Sequence, residues 1–396
     1  MKKTFINIRR IGLRALVGSF ALLALLSFVL PQAAQASTAA NTTIRNTVTV
    51  AYKDSMGTTM TPVSSTVDIL VAFVCATPTL SAPNDITTQP GTNAVYNYTI
   101  TASANGPDTY NLSALVTAQS AGISGSTVAV APASVVLGGT TVAVGVTIAA
   151  SGTTAISVPN DAASNASVNG IELGDTIVIG TAVYTVASIT DNGGTVGTPY
   201  SIITVNGNTV AQVLTVGTII GERKTFTTTV TPGPLGIPTT ADQTITVRTT
   251  AAGVLGACSP TFDDTITTVQ YPKLSVTKEV STDGNAWVTS GLSFAPNAIV
   301  YYRITVNNGG TSNASAVVLT DVQPLYTTYQ AGSAKRATGA LVSYSSAPTA
   351  LTDLLQADDG YDFNVTAGNT ATYTIGTVAP GNANQVQLFF IVKVNN

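Results

Sequence analysis

Apolar and polar residues alternate along most of the chain in short runs separated by Gly, Pro and Asn turns, the pattern of β-strands with one buried face. Residues 47–52 (TVTVAY) and 63–74 flank a Gly-containing turn at 53–59 and predict a β-hairpin arm over 37–77. A lone hairpin is marginal in water, so this arm must dock, either on its own first domain or on a neighbouring molecule by strand addition. In the second case Thr47, Val48, Thr49, Val50, Ala51 and Tyr52 form the assembly strand. Alternation returns at 94–101, 110–116, 127–130, 134–137 and 141–148, and again at 224–230, 243–249 and 265–269. These runs predict a first β-sandwich built from 78–151 and 223–270. Between its halves, 171–179 and 183–189 break the rhythm and predict a small inserted β-module over 152–222, in a loop where insertion costs little. A second sandwich is expected over 271–396, with a longer polar excursion at 326–362. The fold class is all-β.

The strand AIVYYRITVNN and the turn after it recur in altered form. Tyr98-Thr99-Ile100-Thr101 matches Tyr302-Arg303-Ile304-Thr305, and Asn105-Gly106 falls opposite Gly309-Gly310. Each copy follows a Pro-x-Leu-Ser opening, at Pro78 and Pro272. Repetition of this kind points to tandem modules, used for reach or assembly.

Residues 272–394 resemble a bacterial conserved-repeat domain of unknown function found in secreted and cell-surface proteins. The matching motifs are LSVTK from Leu274, VYYRITVNNGG from Val300, VLTDVQP from Val318 and IGTVAPG from Ile375. The resemblance implies an immunoglobulin-like β-sandwich in an exported protein, so tandem sandwiches of that type are expected, with residues 78–150 and 222–270 as a divergent copy. It transfers no functional residue.

Export is also expected from the leader. Lys2, Lys3, Arg9, Arg10 and Arg14 precede an apolar run at 15–30, and Ala34-Gln35-Ala36 offers a cleavage site, so 1–36 reads as a signal peptide. Arg9-Arg10 admits a twin-arginine variant of that reading. No membrane span is expected after cleavage. Cleavage removes five of 16 basic residues and none of the 19 acidic ones, leaving a net charge of −8. That sign disfavours nucleic acid and anionic lipid as partners. Cys75 and Cys258, the only cysteines, are expected to pair within the chain; two buried thiols or an intermolecular bridge are the other readings.

Chemistry is sparse. The absence of histidine removes Ser-His-Asp and Cys-His nucleophilic systems and His-ligated metals together, and only three glutamates are present for paired-carboxylate work. No enzyme activity and no cofactor are expected. Asp358, Asp359 and Asp362 cluster oxygen ligands suited to Ca²⁺, without EF-hand spacing; a solvated acidic turn is the plainer reading. Strand parity places Lys278, Asp321 and Asn396 on core-facing positions of first, middle and last strands. That set suits an intramolecular isopeptide bond by analogy with surface pilins, or simply a Lys278–Asp321 ion pair. The sequence thus favours an exported structural subunit that self-associates into a surface filament or layer. A monomeric adhesin using 152–222 and 326–362 is the alternative.

Overall fold

The computed structural model describes residues 38–161, 165–193, 200–208, 210–236, 241–256, 258–354 and 356–396; the expected signal peptide lies outside them. Among these residues the regular structure is strand apart from one helical turn, α1 (Gln356–Asp359), and a 3-10 turn at Asn382–Asn384. No helix among them is long and apolar enough to cross a membrane.

The arm consists of β1 (Thr43–Val50) and β2 (Val63–Leu70), antiparallel, with Thr43 opposite Leu70 and Val50 opposite Val63. Asp54 builds its turn: the carboxylate accepts the amides of Met56 and Thr58, and Gly57 takes φ 87°, which a side chain disfavours. Ala51 and Tyr52, expected in the assembly strand, lie beyond the end of β1. Neither arm strand pairs with any other described strand, so among these residues the arm completes no sheet of the first domain.

The first sandwich begins with β3 (Thr79–Leu80), β4 (Ile86–Thr88), β5 (Ala94–Thr101), β6 (Asp108–Gln119), β7 (Thr127–Ala131) and β8 (Ser134–Leu137). The insertion follows as β9 (Gly139–Thr141), β10 (Val146–Ile148), β11 (Thr153–Pro159), β12 (Ser167–Val168), β13 (Ile171–Glu172), β14 (Thr176–Ile179), β15 (Ala182–Thr190), β16 (Tyr200–Asn206) and β17 (Gln212–Leu214). Then β18 (Ile219–Thr231), β19 (Gln243–Gly253) and β20 (Thr261–Val269) close the sandwich. One sheet runs β3-β5-β18, with β7 also on β18; the other runs β4-β20-β19-β6-β8. Tyr96, Tyr98, Ile100, Tyr110, Leu137 and Phe226 fill the space between, and the Tyr98 and Phe226 rings stack at 5.3 Å. This is an immunoglobulin-like order of strands.

Strand β18 serves two cores. Its first residues pair with β9 and β14, and from Arg223 onward it pairs with β5 and β7. The insertion reaches further back than the expected residue 152. Strands β9 and β10, expected in the sandwich, pair with β18 and β17, and Val142 and Ile148 join the insertion's own core of Ile156, Ile177, Ile203 and Ile220. Alternation alone identified these strands but could not say which of two adjoining cores they face.

The second sandwich comprises β21 (Leu274–Ser281), β22 (Ile299–Asn308), β23 (Ala314–Val322), β24 (Thr327–Tyr329), β25 (Lys335–Thr338), β26 (Thr349–Ala350), β27 (Tyr361–Phe363), β28 (Thr370–Val378) and β29 (Val386–Val394). Its large sheet is β21-β22-β29-β25-β26, with β24 also on β29, and its small sheet is β23-β28-β27. The excursion over 326–362 is not a free loop. It supplies β24 to β27 and α1, and its Val342, Tyr344 and Ala347 pack around Phe389 with Trp287 on the outer face of the large sheet. Beneath this cover Arg303 is buried, paired with Glu279 at 2.7 Å and 4.8 Å from the Trp287 ring.

Candidate assembly surface

Among the described residues the arm is fixed to the first sandwich at its base. Asn105, buried in the turn after β5, donates from Nδ2 to the Thr38 carbonyl (2.9 Å) and the Ala72 carbonyl (3.3 Å), and accepts the Val74 amide at Oδ1 (2.8 Å). Its own carbonyl accepts the Ala40 amide at 2.8 Å. A side chain at Gly106 would place Cβ 2.7 Å from Cβ of Ala40, so glycine there lets the arm's base approach. A disulfide between Cys75 and Cys258 closes the clamp, as expected from the cysteine count.

Beyond the clamp the hairpin is amphipathic. One face carries Ile44, Val48 and Val50 on β1, in register with Ile69, Ser65 and Val63 on β2, while Val67 stands opposite Asn46. The six aliphatic residues of this face are 51–62% exposed. At about 100 Å² each they leave roughly 600 Å² of apolar surface in water, the size of the largest patch on a typical monomer. The other face is polar. Arg45 and Asp68 form a bidentate pair at 2.8 Å, and the guanidinium holds the Asp68 carboxyl below its ordinary range; Thr47 and Thr66 hydroxyls meet at 2.9 Å. Both members of the ion pair are exposed, so it orders the hairpin more than it stabilises it.

A second uncovered apolar area lies on the other sandwich. Leu274, Val276, Lys278 and Val280 of β21 stand opposite Asn308, Val306, Ile304 and Tyr302 of β22, and Val306, Ile304 and Tyr302 belong to or pack against the core. Leu274 and Val276 therefore face inward by parity, yet they are 42% and 64% exposed. Strand β23 pairs only with β28, so among the described residues its other edge is open beside them.

The expected isopeptide set separates here. Lys278 Nζ lies 2.7 Å from both Asp321 oxygens and 4.7 Å from the Tyr302 ring, an ion pair joining the two sheets. Asn396 accepts a hydrogen bond from Asn297 instead. It lies eight residues past Leu388, the β29 residue in register with Ile304 and hence with Lys278. At ~3.3 Å per residue that is roughly 26 Å. Nor do the acidic residues form a cation cradle. Asp359 accepts the Thr352 and Tyr361 amides, and Asp358 accepts the Thr352 hydroxyl. Asp362 is fully buried and accepts the Val365 and Thr366 amides and the Thr366 hydroxyl. These carboxylates cap the turns around α1 and β27. No group of three metal-ligating side chains occurs among the described residues. Strand parity placed Lys278 beside Asp321, but no sequence signal marked Asn105 as the residue that holds the arm.

No family model matches the chain, and no curated protein matches it in sequence. Among solved structures, the C-terminal domain of the Streptococcus agalactiae antigen I/II polypeptide BspA aligns at 10% identity, covering 81% of this chain and 91% of that one, with a TM-score of 0.27. Two further structures, described as BspA_C_WT and BspA_C_mut, align at 9% identity and a TM-score of 0.26, covering 81% and 82% of this chain and 92% of each of theirs. At such scores the likeness carries nothing about this chain's surface.

Proposed function

We propose that this protein is an exported structural subunit of a cell-surface filament or layer, in which the arm of one molecule adds to a sheet of the next. The observation that carries this reading is the exposed aliphatic face of the β1–β2 hairpin, on an arm that is clamped at its base by Asn105 and the disulfide. Burying roughly 600 Å² of apolar surface is worth on the order of 15 kcal/mol before the costs of association. The leader and the disulfide support passage to an oxidising compartment. Electron microscopy and sedimentation of the mature chain test the reading. Ordered assemblies are expected, and soluble monomers from a variant lacking 37–52. Assemblies that survive the deletion overturn the arm's role; a chain that never assembles overturns the subunit reading itself.

A monomeric binding module is the second reading. It draws on Val210, Val213 and Val216, exposed on the insertion, where Val216 also lines a cleft of about 390 Å³ with Val178 and Ile219. Removing the insertion should then abolish binding to whole cells while both sandwiches stay folded; binding that persists excludes it.

A further inference from the structure

We infer that the arm's partner is the open edge between β21 and β23 in the second sandwich of another copy of this chain, an inference that rests on the subunit reading above. Leu274 and Val276 point toward the interior of a sandwich that, among the described residues, supplies no strand to cover them. Two residues further along the same face, Lys278 already reaches β23 through Asp321, so the uncovered pair lies beside the free edge of that strand. Free edges are ordinarily blunted by Pro or by unpaired charge. Strand β23 (ASAVVLTDV) contains no Pro, and its single charge is taken up by Lys278. Past the bulge at its start, 318–322 pairs regularly with β28 and offers the opposite row of backbone groups to an incoming strand.

The first sandwich indicates what fits there. Its strand β6, which follows the repeated Tyr-Thr-Ile-Thr strand as β23 follows its counterpart, bears a further strand on the edge away from β19. That strand is β8 (SVVL), whose Val135 and Leu137 point inward and are buried. The arm offers the same spacing: Val48 and Val50 of TVTV, two residues apart on the aliphatic face. The size also agrees, since roughly 600 Å² of apolar surface with a polar rim approaches the ≈800 Å² per partner of a stable interface. Docked with that face on Leu274 and Val276, the arm keeps Arg45 and Asp68 in water. Arm and edge are different patches of one chain, so the contact is head-to-tail and builds a ring or an open filament according to the rotation between copies.

Mixing two variants, each with one cysteine added to the native Cys75–Cys258 pair, tests the placement. V48C and V276C chains are assembled together, oxidised mildly and run without reductant; V48C with V136C, on the edge strand β8, is the control. A cross-linked dimer at least tenfold above the control is expected, and it forms only between chains. Assemblies with no cross-link above the control overturn this placement and leave the subunit reading standing, whereas monomers throughout overturn both. If the cysteine variants fold poorly, V276E is the second test: loss of assembly with an unchanged melting curve supports the placement, and normal assembly overturns it.

Discussion

Asn105 and Asn308 each hold the segment that enters their domain through a buried amide, Asn105 from both ends and Asn308 from Oδ1 alone. Asn308 accepts the Lys273 amide at 3.0 Å and donates to the Ser312 and Val378 carbonyls at 2.8 and 2.9 Å. Asn105 holds residues 38, 72 and 74, with Nδ2 as well as Oδ1 turned to the entering segment. The base of the arm thus stands before the first sandwich where the linker stands before the second.

Asn105→Ala should therefore loosen the arm. It removes three hydrogen bonds whose partner groups lie on exposed residues that water can reach, and a loss of about 1–2 kcal/mol is expected in denaturant unfolding. Limited proteolysis should then cut first within 38–74. Asn308→Ala should cost a similar amount and leave the arm as resistant as in the wild type.

Charging the arm's aliphatic face should separate assembly from stability. Val48→Glu with Val67→Glu alters side chains that are 60% and 62% exposed in the monomer, so unfolding should shift by no more than about 1 kcal/mol. Assembly, followed by sedimentation, should be lost; a double variant that assembles normally contradicts the docking role.

Glu222 sits where β18 changes partners, fully buried apart from 1% of its surface. Its carboxylate accepts the Gly138 amide at 2.6 Å and pairs with Lys224 at 2.7 Å, but burial outweighs both and raises its pKa above the ordinary 4.5. The folded state then holds more protons than the unfolded one just above pH 4.5, so stability falls as pH rises through that interval and levels off above the raised pKa. Glu222→Gln keeps an acceptor for Gly138 and should flatten this slope. It forgoes only a half-exposed partner, worth about 0–1 kcal/mol. Thermal unfolding between pH 4 and 8 checks it, and parallel curves for the two proteins contradict the assignment.

Reducing the Cys75–Cys258 bridge, which spans 183 residues, should destabilise the first sandwich by roughly 5 kcal/mol in the chain-entropy account. Unreduced protein unfolded in guanidinium should show no free thiol by colorimetric titration.

Intact mass should equal that of the unmodified mature chain with one disulfide. Lys278 and Asp321 are an ion pair, so a mass short by one further water or ammonia would mean that a covalent link has formed.

The strands were legible because period-two alternation is a local property: AVYNYTIT at 94–101 is a strand whose Tyr96, Tyr98 and Ile100 are buried, as its pattern requires. Which core a strand joins is not local. Strand β10 alternates like its neighbours but is claimed by the insertion, because β17, distant in sequence, pairs with it. Parity gave the faces of Lys278, Asp321 and Asn396, yet it says nothing of height along a strand, and Asn396 fell outside reach. The repeat, aligned on its tyrosines, set Asn105 opposite Gly309; the amide with the matching role is Asn308, one residue earlier. The arm's aliphatic face could be read from TVTV, but its exposure could not, since exposure depends on what fails to cover it.

The position of the disulfide has a mechanical consequence. In a polymer joined arm to edge, as proposed, tension would enter each subunit just after the arm's base, at Cys75, and cross at once to Cys258 in the connection between β19 and β20. The two-residue strand β3, paired with β5 only through Thr79 and Leu80, is thereby relieved of load. A pulled subunit is then expected to let go of its neighbour before its first sandwich unravels.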